Sequence, residues 1–189
     1  MTESRIYTKL GDDGSTGLLF GGRISKADPL IDIVGTLDET VAALGMARAN
    51  TSDQRLSQQI LGIQRDLFVA AADLAANPYA RDRLVPGVSS MTAAMTSAIE
   101  CAIDERVAER PLQPVFIVPG ATHASAALDV ARTSVRRAER ALVRYLSSSP
   151  EGTHPVSPSI MTYLNRVSDL LYVLARHAAG DHEEPVSHE

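Results

Sequence analysis

Five glycines, Gly11, Gly14, Gly17, Gly21 and Gly22, share a short N-terminal segment with Thr8, Lys9, Asp12, Asp13, Ser15, Thr16, Arg23 and Lys26. Glycine lets a backbone approach a ligand and turn its amides inward, while hydroxyl and ammonium groups add donors and charge. That mixture suits a polyphosphate. It is not a P-loop, since the GxxxxGK[ST] spacing is absent. The same composition also marks an unstructured arm, and residue types alone leave the two readings level. A second concentration of charge lies at Arg132, Arg136, Arg137, Arg140 and Arg144, against only Asp129 and Glu139. In a chain with a formal net charge of −5 this is a local exception. Arginine is the residue for bidentate contacts to phosphate or carboxylate, although a solvated helix face explains such a run equally simply. Asn165, Ser168, Asp169, Tyr172 and Arg176 form a third polar stripe, and Asp38 and Glu39 follow Leu37. Either of those two carboxylates could pair with an arginine across a helix interface, and Glu39 could equally be a solvated first-turn acid.

Helices must position these groups. Leu56, Ile60, Ile63, Leu67, Ala70 and Leu74 alternate spacings of four and three, and Asn77-Pro78 stops that run. The rhythm recurs in Ala124, Leu128, Ala131, Val135, Ala138, Leu142 and Tyr145, and again in Ile160, Leu164, Val167, Leu171, Leu174 and Ala178. Within the second run, Arg132, Arg136 and Glu139 fall within roughly 60° of one another beside the apolar stripe. A further helix is expected through Val34, Leu37, Val41 and Leu44. Another is expected through Met91, Met95, Ile99, Ile103 and Val107, with Ser89 or Ser90 as its N-cap. Alternating strand patterns are almost absent, and Val115–Val118, between prolines, reads as an extended connector. The expectation is an all-α bundle of antiparallel neighbours. Arg81–Gly87, Ser147–Pro158 and the acidic tail after Gly180 read as loops or disorder.

Composition narrows function mainly by exclusion. The 189 residues fit one domain, expected over residues 1–180 with a flexible tail at 181–189. The single cysteine, Cys101, cannot form an internal disulfide. No apolar run approaches the roughly 20 residues needed to span a bilayer, and the polar start Met1-Thr2-Glu3-Ser4-Arg5 is unlike a signal segment. A cytoplasmic protein is expected. The negative charge and the absence of Trp argue against nucleic-acid binding. His123, His154 and His177 lack zinc-site spacing, and His182 and His188 read as solvated tail residues.

Together the segments resemble the PduO-type ATP:cob(I)alamin adenosyltransferases. Three motifs, in order, carry the likeness. The first is Ile6-Tyr7-Thr8-Lys9-Leu10-Gly11-Asp12-Asp13-Gly14-Ser15-Thr16-Gly17 with Gly22-Arg23-Ile24-Ser25-Lys26. The second is Gly35-Thr36-Leu37-Asp38-Glu39-Thr40. The third combines Phe116-Ile117-Val118-Pro119-Gly120, Ala131-Arg132-Thr133, Arg136-Arg137-Ala138-Glu139-Arg140 and Tyr163-Leu164-Asn165-Arg166-Val167-Ser168-Asp169. Leu10 and Ala121 depart from the usual Thr and Gly.

The resemblance implies a five-helix bundle assembling as a homotrimer, with active sites between subunits and residues 1–29 as the nucleotide arm. Thr8, Lys9, Leu10, Gly11, Thr16, Gly17, Leu18 and Lys26 would wrap ATP, with Mg²⁺ carried mainly by its phosphates. Arg136, Arg137, Ala138, Glu139, Arg140 and Asn165 of the adjacent subunit would close that site. Asp38 and Arg132 would form an intersubunit salt bridge, and Phe116 would act on the corrinoid by displacing its lower ligand. A packing role for Phe116 in the connector stays open. The implied reaction moves the 5′-deoxyadenosyl group of ATP to cob(I)alamin, and an adenosylcobalamin-dependent mutase would be a client. Two other classes also stay open: a helical adaptor with an unstructured arm, and a sensor that binds ATP or corrinoid without turnover.

Overall fold

A computed structural model describes residues 6–148 and 155–187. Residues 1–5, His154 and His188, and most of the loop expected before Pro158, lie outside the described residues. Five α-helices carry the fold: α1 (Pro29–Ala49), α2 (Gln54–Leu74), α3 (Ala93–Glu109), α4 (His123–Ser148) and α5 (Pro158–Ala179). Their starts follow from side-chain caps. Asp28 accepts from Leu30 N at 2.8 Å ahead of α1, where Pro29 costs no hydrogen bond. Asp53 accepts from Arg55 N and Leu56 N ahead of α2. Thr122 and Ser125 exchange side chain-to-backbone bonds of 2.9 and 3.0 Å at the start of α4. Helix α5 ends at Gly180, whose φ of +60° suits glycine.

Every apolar position of the α2 and α4 stripes is buried. So are Ile160, Leu164, Val167, Leu171 and Leu174 of α5, each large apolar side chain contributing about 1.5–3 kcal/mol of transfer free energy. Helix α4 packs on α1 and α5, α1 also packs on α2, and α3 packs on α5. Polar contacts fix the directions. Thr122 bonds Ala178 O, His177 lies against Arg106 O, and Arg55 pairs with Glu105 and Glu109. The C-terminal ends of α1, α3 and α5 therefore share one end of the bundle with the starts of α2 and α4.

Four expectations need correction. The α3 helix begins at Ala93 after Thr92, not after Ser89 or Ser90. Ser90 instead donates to the buried Asp73, at 3.0 Å, beside the Met91 amide at 2.9 Å. A buried carboxylate needs those partners more than the helix needs a cap. The segment after Arg81 is partly a 3₁₀ turn, Pro78–Arg83. Finally, Ile117–Val118 (β3) is a strand and not a plain connector, and the described residues after Gly180 are not all loop. A 3₁₀ turn, Gly180–His182, leads into β4 (Glu184–Pro185), antiparallel to β3 with Ile117 opposite Pro185. Two-residue strands have too little length to show a period.

One polar couple at the edge of the core carries a pH dependence. The fully buried Tyr163 donates to Asp66 at 2.9 Å. Burial raises the Asp66 pKa, and the Tyr163 hydrogen bond only partly opposes this. Asp66 thus weakens the fold at pH values above its folded-state pKa, and the penalty disappears as pH falls below the ordinary carboxylate value. Asp66→Asn should raise the melting temperature at pH 7. Its advantage over wild type should shrink as the pH of the melts is lowered toward 4, whereas a constant or growing advantage would contradict this account.

Candidate active site

Residues 15–25 of the N-terminal segment form a hairpin, preceded by a turn over residues 9–13. Strands β1 (Ser15–Gly17) and β2 (Arg23–Ser25) pair antiparallel, with Thr16 opposite Ile24. Leu19 N donates to Ala75 O and Asn77 N to Leu19 O, which ties the hairpin to the end of α2. Gly22 has φ +87°, and a Cβ there would lie 3.2 Å from Asn77 Nδ2. Both conformation and space call for glycine.

This hairpin aims cations at its own loop. Lys26 Nζ donates to Gly11 O at 2.8 Å, and a Cβ on Gly11 would meet that ammonium at 3.0 Å. Arg23 bonds Ser15 Oγ at 2.8 Å, Asp13 at 3.2 Å and Leu10 O. Hydrogen bonds from the Ser15 side chain and amide, then the Arg23 charge, hold the Asp13 carboxyl below its ordinary pKa. Thr8 accepts from Leu10 N, while Lys9 and Leu10 are exposed, and Gly17 and Leu18 lead from β1 into its turn. Hydroxyls, amides and two cations therefore line one exposed loop.

Helices α4 and α5 form a second wall. Glu139 accepts from Asn165 Nδ2 at 3.0 Å across the helix pair. Arg136 and Arg140 are exposed and have no ion-pair partner among the described residues. Arg137 differs, pairing with Glu39 on α1, and Ala138 is fully buried against the core. A cavity of about 360 Å³ lies beside this wall, lined by Arg132, Arg136, Ser168, Asp169, Tyr172 and apolar residues of α3. Arg132 gives its Nε to Asp129 at 2.9 Å and sits 5.9 Å from the Tyr172 ring centroid.

Asp38 lies elsewhere. It is exposed, makes no ion pair among the described residues, and lines an apolar groove of about 500 Å³ between α1 and α2. Val34, Val41 and the 59% exposed Phe68 share that groove. Within one chain Asp38 and Arg132 do not meet. Phe116 is 85% exposed, so it is no core anchor for its connector. Only its backbone is held: its carbonyl accepts from Val186 N at 2.8 Å. A cavity of about 790 Å³ opens between residues 118–123 and 181–184, two residues on from Phe116 in the chain.

Residue patterns had missed Asp129 and Glu183 as partners of the arginines. Arg176 pairs with Asp129 at 2.5 Å and with Glu183 at 3.3 Å. In sequence Asp129 is one of two acids among the arginines, and Glu183 falls in the acidic tail read as loop or disorder. Arg176 on the α5 polar stripe was the one available signal.

Residues 6–178 match the family model for cobalamin adenosyltransferase. The chain belongs to the cobalamin adenosyltransferase family. It is 37% identical over 172 residues to a corrinoid adenosyltransferase from Citrobacter freundii, covering 91% of this chain and 93% of that one. It is 38% identical over 176 residues to the corrinoid adenosyltransferase PduO from Salmonella typhimurium, half of whose length it spans. A phenylalanine-to-alanine variant of the PduO-type ATP:corrinoid adenosyltransferase from Lactobacillus reuteri, complexed with cobalamin and ATP, superposes with a TM-score of 0.80. It is 32% identical, with 93% of each chain covered. Across the described part of this adenosyltransferase family member, no helix is long and apolar enough to cross a membrane.

Proposed function

We propose that this protein transfers the 5′-deoxyadenosyl group of ATP to cob(I)alamin, releasing triphosphate. The observation that carries the reading is the family match over residues 6–178, joined to a cation-bearing glycine hairpin and an arginine wall. Cob(I)alamin is itself the nucleophile. Its cobalt attacks the ribose 5′ carbon, the Co–C bond forms, and the C–O bond to triphosphate breaks with both electrons leaving on the oxygen. The chain must therefore align the reactants and hold negative charge on the leaving group, which fixed cations and amides do without a protein acid or base. Lys26, Arg23, Arg136 and Arg140 serve that charge. Among the described residues no three His, Cys, Asp or Glu side chains gather as metal ligands. The hairpin instead offers the exposed carboxylates Asp12 and Asp13 beside its cations, which fits a Mg²⁺ carried by the ATP phosphates.

The active site in this reading forms between subunits of a homotrimer. The hairpin sits at the start of α1 and the end of α2, while Phe116 sits at the opposite end of the bundle. Helix α1, with 21 residues, spans about 31 Å at 1.5 Å per residue. One chain's hairpin is therefore poorly placed to serve its own Phe116. The apolar groove around Asp38 supports the same view, since such a groove beside an unpaired carboxylate suits burial against a second copy. In this reading, Asp38 of one subunit meets the Nη edge of Arg132 in the next, since Asp129 engages only Nε. We place the enzyme in the cytoplasm, where ATP and reductants are available, and assign its product to an adenosylcobalamin-dependent mutase.

Chromatography of the corrinoid product after incubation with excess ATP, Mg²⁺ and reduced cobalamin tests the reading. Many equivalents of adenosylcobalamin per site are expected; binding without product would leave a sensor. Lys26→Ala should lower ATP affinity roughly 10- to 100-fold, since a hydrogen bond to a charged group contributes about 1.5–3 kcal/mol. Its melting temperature should stay unchanged, because Lys26 is exposed and outside the core. Calorimetric titration that finds wild-type affinity would remove Lys26 from the site.

A further inference from the structure

Beyond Gly180 the described chain adds nothing to the apolar core: Val186 is 56% exposed, and Asp181, His182, Glu184 and Pro185 are exposed. The tail is held by charge instead. The Glu183 side chain is 5% exposed and faces Arg176, 4% exposed, at 3.3 Å, with Arg110 at 3.7 Å. Arg176 stacks 5.0 Å from the Tyr172 ring centroid and shares Asp129 with Arg132. Arg110 adds bonds to Gly180 O and Asp181. Taking a carboxylate out of water is costly, and apolar packing would have fixed a tail more cheaply. Buried charge instead favours one register, because moving Glu183 off Arg176 and Arg110 would leave buried charges apart. Two residues on, that register is read out at β3, where β4 pairs with Ile117–Val118 and Val186 N holds the Phe116 carbonyl.

We propose that Glu183 is a positioning residue for Phe116: seated on Arg176 and Arg110, it sets the register of β4 and thereby the backbone that carries the exposed ring. The inference rests on the reading of Phe116 as the group that displaces the corrinoid's lower ligand. In that reading the ring must stand at one height over cobalt, and its own side chain has no packing to hold it there. Its backbone must supply the constraint.

Two full-length variants test this. Glu183→Gln removes the charge at nearly constant shape. Val186→Pro removes the N–H that bonds Phe116 O and leaves the buried charges untouched. Each should bind ATP and adenosylate chemically pre-reduced cob(I)alamin within about twofold of wild type. Each should lose roughly tenfold or more in rate from cob(II)alamin plus reductant, corresponding to about 1.4 kcal/mol. The four-coordinate cob(II)alamin signal in electron paramagnetic resonance should shrink in parallel. In Glu183→Gln the Val186 amide should also exchange faster with deuterium. Equal loss on both substrates, or an undiminished four-coordinate signal, overturns the proposal. If Glu183→Gln does not fold, Val186→Pro decides alone. Phe116→Ala is the control. If it shows the split while the other two do not, the positioning role fails and the Phe116 reading stands. If it shows none, both fall.

Discussion

Phe116→Ala should fold with wild-type stability, bind ATP normally and fail chiefly when the corrinoid is offered as cob(II)alamin. The ring is 85% exposed, so its removal opens no cavity in the core and should leave the melting temperature within a degree or so. The lower nitrogen ligand of cob(II)alamin makes reduction difficult. An apolar ring placed where that ligand would bind excludes both base and water, leaving a four-coordinate cobalt that accepts an electron more readily. Loss of the ring should cost roughly 100-fold or more in turnover from cob(II)alamin, about 2.7 kcal/mol of barrier. Pre-reduced cob(I)alamin, which needs no such step, should be adenosylated at a rate reduced far less. Activities falling together alongside a lowered melting temperature would return Phe116 to a packing role.

Asp38→Asn and Arg132→Lys should each impair both assembly and turnover. Among the described residues of one chain Asp38 makes no ion pair, and Arg132 uses only Nε on Asp129. Joined across an interface and buried, the pair would cost about 3–5 kcal/mol when one side is neutralised, because the other charge stays behind. Lysine keeps the charge of Arg132 but loses the planar fork that serves two carboxylates at once. Charge reversal at both positions should restore assembly only in part, since a carboxylate at position 132 would stand beside Asp129. Sedimentation and steady-state kinetics on a double-mutant cycle decide the matter. A coupling energy of about 0.5–3 kcal/mol is expected for residues in contact, and simple additivity would show that they never touch.

The helices were legible in the chain because their apolar residues keep a 3.6-residue period over several turns, about five in Leu56–Leu74 and six in Ala124–Tyr145. Their caps were less so. Ser90 looked like an N-cap, but the buried carboxylate of Asp73, distant in sequence, claims its hydroxyl. The strands β3 and β4 were illegible for a related reason. Each is two residues long, and their partners lie more than sixty residues apart in the chain, where no local pattern announces a pairing. The candidate site divided in the same way. Glycine and lysine crowding marked the hairpin, and helical phase placed Arg136 beside Glu139. Residue type could not separate Arg137, tied to Glu39, from its exposed neighbour Arg136. Helical phase, by contrast, already puts Ala138 in the apolar stripe, and there it is buried.

A single-turnover reaction tests the central claim most directly. The protein is mixed with anaerobically reduced cob(I)alamin and one equivalent of ATP with Mg²⁺, the visible spectrum is followed, and the phosphate products are separated after quenching. The account predicts conversion of the cob(I)alamin spectrum to that of adenosylcobalamin, with one intact triphosphate released per Co–C bond formed. Release of diphosphate and phosphate without a Co–C bond, or ATP left whole beside unreacted corrinoid, would contradict it.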